Sequence, residues 1–132
     1  MPCLYIQNNI KELFIKKFKL AICQNKPVYD KNKNIENAFK MIKKASDKKA
    51  GLVLLPEIFY YPYEIKKLKS VADDNTALLK KFCETAKELS VYICTGSMAV
   101  KDKDKIFNRA YLINSEGKII LKHDKCHLFN VD

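Results

Sequence analysis

Polar and apolar positions alternate first in Phe18, Leu20 and Ile22, the period of a half-buried strand, and Gln24-Asn25-Lys26-Pro27 ends it. The period then lengthens. Ile35, Ala38, Phe39, Ile42 and Ala45 recur at helical spacing with lysines opposite, behind a cap drawn from Asp30, Asn32 or Asn34. Gly51 is expected to stop that helix. Four apolar residues, Leu52-Val53-Leu54-Leu55, then run into Pro56 and Glu57, too short for a helix and right for a buried strand. Proline cannot continue a central strand, so the ladder should stop there with Glu57 just past its carboxyl end. Strand-helix-strand is a crossover unit of right-handed sense, and its carboxyl edge is where open α/β sheets bind ligands.

An aromatic loop follows, Ile58 to Tyr63, with Phe59, Tyr60, Tyr61 and Tyr63 around Pro62; it reads as packing under a turn or as the wall of a pocket. Asp73, Asp74 and Asn75 precede a second amphipathic helix through Leu78, Leu79, Phe82, Cys83, Ala86 and Leu89. Val91 to Cys94 reads as a strand closed by Thr95-Gly96-Ser97, and Lys101 to Lys105 as a charged turn. Ile106 to Ile113 and Lys118 to Lys122 form a hairpin through Asn114-Ser115-Glu116-Gly117. Strand, helix, strand, helix, then three strands is an α/β order.

Composition changes this picture little: 48% apolar and 30% charged residues are ordinary for a globular chain of 132 residues. The net charge of +10 is the unusual number, and lysine supplies nearly all of it, with Arg109 the sole arginine. Nucleic-acid readers favour arginine for bidentate contacts, and the lysines here are spread along helix faces and turns, so a solvated surface is the expected role. The five cysteines (Cys3, Cys23, Cys83, Cys94, Cys126) make no C-x-x-C pair and no even framework, which fits free thiols in a reducing compartment. No run approaches the ~18 apolar residues of a membrane helix. Residues 1–17 have no signal-peptide core; they are basic with Glu12 the one acid, so they read as an extension, helical, frayed or organelle-targeting.

The closing block Lys122-His123-Asp124-Lys125-Cys126-His127-Leu128-Phe129 gathers titratable groups after a strand. Singly, Lys125 reads as a solvated lysine, His127 as a structural histidine and Cys126 as a packing thiol. Together with Leu54-Leu55-Pro56-Glu57 and the Ile106-Phe107-Asn108 to Gly117 hairpin, in this order, the block resembles the N-terminal part of the nitrilase, or carbon-nitrogen hydrolase, superfamily. Leu20 to Gln24 and Gly96-Ser97 also fall where that family has them, and the likeness runs from about Phe18 to Asp132, nearest the ω-amidase-like branch. The resemblance implies that 18–132 is the N-terminal part of an α-β-β-α sandwich.

It further implies a Glu-Lys-Cys triad in which Glu57 is the general base and Lys125 steadies negative charge on the tetrahedral intermediate. Tyr60, Tyr63, Asn108 and His127 are the expected substrate contacts, and the substrate a small amide, a dicarboxylate ω-amide. Neither metal nor organic cofactor is implied, nor nucleic acid or membrane; the full-length form is expected to self-associate in the cytoplasm.

The chain also departs from the pattern. The family's nucleophilic cysteine lies on a later strand in a Gly-x-x-Cys-Tyr-Asp-like setting, and none of the five cysteines matches it. Cys126 adjoins Lys125, and neighbours on an extended segment point to opposite faces, so it is a poor substitute. His123-Asp124 stand where the family usually has Tyr-Arg. The expectation is therefore an inactive N-terminal fragment whose inner sheet face, with Val53, Leu55, Ile93 and Ile119, lies open. The rivals are an enzyme completed by a second chain, and a non-catalytic lysine-rich module binding nucleic acid or an acidic partner.

Overall fold

Parallel strands need crossovers, and the helical periods in this chain fall where crossovers are needed. The computed structural model describes residues 18–126. They form β1 (Leu20–Ile22), α1 (Lys31–Asp47), β2 (Leu52–Leu54), α2 (Ile65–Val71), α3 (Thr76–Leu89), β3 (Tyr92–Asp102), β4 (Lys105–Ile113) and β5 (Ile119–Asp124). The strands make one mixed sheet in the order β1-β2-β3-β4-β5. The first three are parallel, and β4 and β5 add to them antiparallel.

Asp30 is the cap of α1, its carboxylate accepting from the Lys33 amide at 3.0 Å. Asn34, one of the expected cap candidates, lies inside the helix and is 1% exposed. Its side chain accepts from Val28 N and donates to Val28 O and Tyr60 O, tying the loop before α1 to the loop after β2. Asn34→Leu leaves those backbone groups unpaired in the interior, a loss expected at about 1–3 kcal/mol from urea denaturation; an unchanged midpoint would show that water replaces the amide.

Gly51 does not end α1 as expected. The helix stops at Asp47, and Lys49 takes the left-handed turn (φ 64°). Gly51 instead opens the β1–β2 pairing, its amide donating to Lys19 O at 2.8 Å. The seven-residue α2 escapes the sequence reading because its lysines leave only Ile65, Leu68 and Val71 to mark a period over two turns. Thr95-Gly96-Ser97 does not close β3 either: the strand absorbs it as a bulge between Cys94 and Ser97 and continues to Asp102.

The core lies between the sheet and the helices. Ala38, Ile42 and Ala45 of α1 and Phe82 and Ala86 of α3 pack with Val53, Leu55, Ile93 and Ile113, and Phe82 meets Phe39 at 4.7 Å and Phe59 at 5.9 Å between ring centroids. Val53, Leu55 and Ile93, expected on an open face, are thus buried beneath helices; Ile119 alone of those four is exposed, at the sheet edge. Alternation puts the open face on the other residues of the same strands. Two cross-strand rows line it, Leu20-Leu52-Tyr92 and Ile22-Leu54-Cys94-Leu112-Leu121. Leu20, Ile22, Tyr92 and Leu121 are exposed there. Among the described residues no helix is long and apolar enough to cross a membrane.

Candidate active site

Leu55 keeps the β2–β3 ladder going for one more bond, its amide donating to Cys94 O at 3.0 Å, before Pro56 removes the donor and ends it. The turn that follows is strained. Ile58 is β-branched yet holds φ 46°, a conformation that costs of order 1–3 kcal/mol and concentrates at functional sites. Two features hold it: its side chain is buried, and its amide donates to Ser97 Oγ at 3.2 Å. The result aims Glu57 across the end of β3 toward β4 and β5.

There it meets two donors. Glu57 Oε1 accepts from Asn108 Nδ2 at 2.7 Å and from Lys125 Nζ at 2.9 Å, although Glu57 and Lys125 are 68 residues apart in the chain. The Lys125 amide in turn donates to Asn108 O at 2.9 Å. Asn108 is therefore the hub: its backbone holds Lys125 and its side chain holds the carboxylate that Lys125 also holds. These groups, with Gly96, Ser97, Ala110 and His123, line a cleft of about 310 Å³. A smaller apolar cavity of about 140 Å³, walled by Ile58, Tyr63, Ile65, Leu68, Ile106 and Phe107, shares Asn108 with it.

The Lys125 ammonium holds the Glu57 carboxyl below the ordinary carboxylate range; burial opposes it as the next largest effect, and the Asn108 amide adds a lesser lowering. Glu57 in turn raises Lys125 above the ordinary lysine range. A lowered carboxyl stabilises the fold above its ordinary range and loses that contribution as pH falls through the lowered value; a raised ammonium stabilises below its ordinary range and loses it as pH rises through the raised one. The pair therefore holds across the whole neutral window. Lys125→Met should return the Glu57 midpoint toward the ordinary carboxylate range, read by NMR titration; a midpoint that stays low would leave Asn108 as the dominant partner.

Tyr60, expected on a pocket wall, is fully buried instead, its hydroxyl accepting from Ala99 N at 2.9 Å and burial pushing it up to about 12. It packs the core. Tyr63 is 44% exposed and lines the smaller cavity. Asn108 lies at the site, spending its amide on Glu57, and His127 falls outside the described residues. His123, Gly96 and Ser97 were not picked out as site residues by the sequence. Alternation from Leu121 was the available signal for His123, placing it on the open face.

The described cysteines, Cys23, Cys83, Cys94 and Cys126, are all free thiols. Cys23 and Cys83 are pushed up by burial, which disfavours the thiolate. Cys126 is exposed, with its Sγ 3.6 Å from Asp124 O. Among the described residues no group of three His, Cys, Asp or Glu could hold a metal ion.

Residues 19–132 match the carbon-nitrogen hydrolase family. The chain is 36% identical over 119 residues to the omega-amidase NIT2 of Bos taurus, covering 87% of this chain and 42% of that protein. It is 35% identical over 125 residues to the chloroplastic omega-amidase of Arabidopsis thaliana, covering 88% and 33%. In three dimensions it is similar to Nit3 of Saccharomyces cerevisiae, described as a member of branch 10 of the nitrilase superfamily, with a TM-score of 0.75, 28% identity, and 83% of this chain set on 44% of that one. The chain thus spans less than half the length of each of these proteins.

Proposed function

Because the chain belongs to the carbon-nitrogen hydrolase family, we propose that Glu57 and Lys125 are two members of a Glu-Lys-Cys triad for hydrolysing a small amide. The observation that carries this reading is the convergence of Asn108 Nδ2 and Lys125 Nζ on one oxygen of Glu57, which brings the ends of β2 and β5 together with β4 across the intervening β3. The two relatives named as omega-amidases favour a dicarboxylic ω-amide as the substrate.

In the completed site Glu57 takes the proton from a cysteine thiol, whose ordinary value of about 8.5 leaves little thiolate at neutral pH. The sulfur attacks the amide carbon, and the carbonyl oxygen becomes an oxyanion facing the Lys125 ammonium. Glu57 hands the proton to the departing nitrogen, ammonia leaves, and a thioester remains. Water, deprotonated by the same carboxylate, then attacks the thioester carbon, and the acid and the thiol are released. Asn108 fixes the base, Tyr63 flanks the acyl chain, and His127 is retained as a substrate contact. The reaction takes water and no cofactor.

On this reading none of the five cysteines is the nucleophile, and the 132-residue chain alone is expected to be inactive. The full-length form is expected to self-associate. The free thiols favour a reducing compartment such as the cytoplasm, and the chloroplastic relative keeps residues 1–17 a targeting candidate.

The test joins this chain to the remaining part of the Bos taurus relative and follows ammonia released from the monoamide of a five-carbon dicarboxylic acid. The hybrid should turn over and its Glu57→Gln variant should not. Ammonia release by the chain alone that disappears with Cys126→Ala would overturn this assignment of the nucleophile.

A further inference from the structure

The chain uses lysine almost everywhere a cation is needed, yet its one arginine sits 7% exposed on β4, next in the chain to Asn108 of the cleft. Arg109 is the cross-strand partner of Asp124, the last pair of the β4–β5 ladder before Lys125. It grips that carboxylate with two prongs, Nε to Oδ1 at 2.5 Å and Nη2 to Oδ2 at 3.0 Å. A third nitrogen reaches Asp102 at 3.4 Å, and the guanidinium lies 4.8 Å from the centre of the Phe107 ring. A lysine ammonium could satisfy either charge but could not fork across one carboxylate.

Each member of this pair is the chain neighbour of a residue that holds Glu57: Arg109 follows Asn108, and Asp124 precedes Lys125. Neighbours on a strand face opposite ways, so the ion pair occupies one side of the sheet and the carboxylate with its two donors the other. One backbone bond, Lys125 N to Asn108 O, continues the ladder past the pair. With Arg109 buried but Asp124 part-exposed, the ion pair is a weak source of net stability and is better suited to fixing one geometry.

We infer that Arg109 and Asp124 are positioning residues, a clamp through which the ends of β4 and β5 hold Lys125 in register with Asn108 and Glu57. Its value to the chemistry rests on the reading of Glu57 and Lys125 as the working pair. The clamp never touches the carboxylate. It sets where the ammonium arrives, and misplacement of a reacting group by about 1 Å costs on the order of 100-fold in rate.

The Glu57 carboxyl reports that placement without substrate or nucleophile, because Lys125, Asn108 and His123 line the cleft, Tyr63 acts electrostatically on Lys125 from the adjoining cavity, and Lys125 has the largest effect on Glu57. The experiment is an NMR titration of Glu57 in the 132-residue protein. Arg109→Lys and Asp124→Asn should each move its midpoint up by about half a pH unit, and the exchanged double variant Arg109→Asp with Asp124→Arg should bring it back. Lys31→Met, which removes an ion pair to Asp73 remote from the cleft, serves as the stability control and should leave the midpoint in place.

A wild-type midpoint in both single variants alongside a lowered Tm would reduce the clamp to ordinary packing and overturn the inference. So would an equal rise in Lys31→Met. If the single variants do not fold, the double variant decides: a wild-type midpoint supports the clamp and a raised one overturns it. An inactive hybrid enzyme would leave this result standing, and a failed clamp would leave the triad standing.

Discussion

Gly96→Ala is expected to cost about 4 kcal/mol or more, enough to remove much of the stability of a domain this size. A β-carbon at this position would stand 2.0 Å from Pro56 O and 2.7 Å from Leu55 O, both backbone atoms that no side-chain rotation can move. The residue also holds φ 64°, which alanine tolerates poorly. The two effects have one origin. The bulge in β3 folds under the segment that carries Pro56 and Glu57 out of β2, and only a residue without a side chain lets the two backbones cross. Urea denaturation followed by circular dichroism gives the loss directly. A variant as stable as the parent would mean that the crossing is looser than this contact implies. A variant that folds at reduced stability should show a displaced Glu57, seen as a raised titration midpoint.

The second large effect belongs to Lys125. In the hybrid enzyme Lys125→Met should lower kcat by about 100- to 1,000-fold, the range measured when one donor to a developing oxyanion is removed, with KM changed far less. The split follows from where the charge appears: a neutral amide gains little from an ammonium, and the tetrahedral oxyanion gains much. Lys125→Arg keeps the charge and replaces a compact ammonium by a planar fork, so it should recover only part of the rate. Equal losses in kcat/KM and in substrate affinity would recast the residue as a binding group.

Glu57 was legible in the chain because Pro56 announces the end of a buried strand and Leu52 to Leu55 announces the strand itself. Lys125 was legible only by likeness to a family. Nothing in its spacing says that β5 will bring it beside a carboxylate 68 residues earlier, a matter of strand order that local periodicity does not encode. Asn108 was picked out as a contact for substrate, and the contact it makes is with Glu57. Tyr60 misled for a related reason: an aromatic loop looks the same whether a ring faces a cleft or, as here, fills the core with its hydroxyl on Ala99. The helix over 65–71 hid behind its lysines, and the open face was assigned to the wrong set of alternate residues. A shift of one position exchanges the two sides of every strand, so the apolar content of Leu52 to Leu55 could not decide which half meets helices. The buried Arg109 gave no sign at all, since nothing about a lone arginine says which acid it will face.

The leucine rows opposite the helices converge on the mouth that holds Glu57. Leu54 lies three residues before it, and Leu112 and Leu121 lie on the same side as Ala110 and His123. Any layer that shields those leucines from solvent therefore also strips water from the carboxylate, and dehydration works against its pairing by lifting its proton affinity. A carboxyl held low while wet would bind a proton more readily once roofed over. Cover over the greasy rows and the proton affinity of Glu57 would therefore rise together.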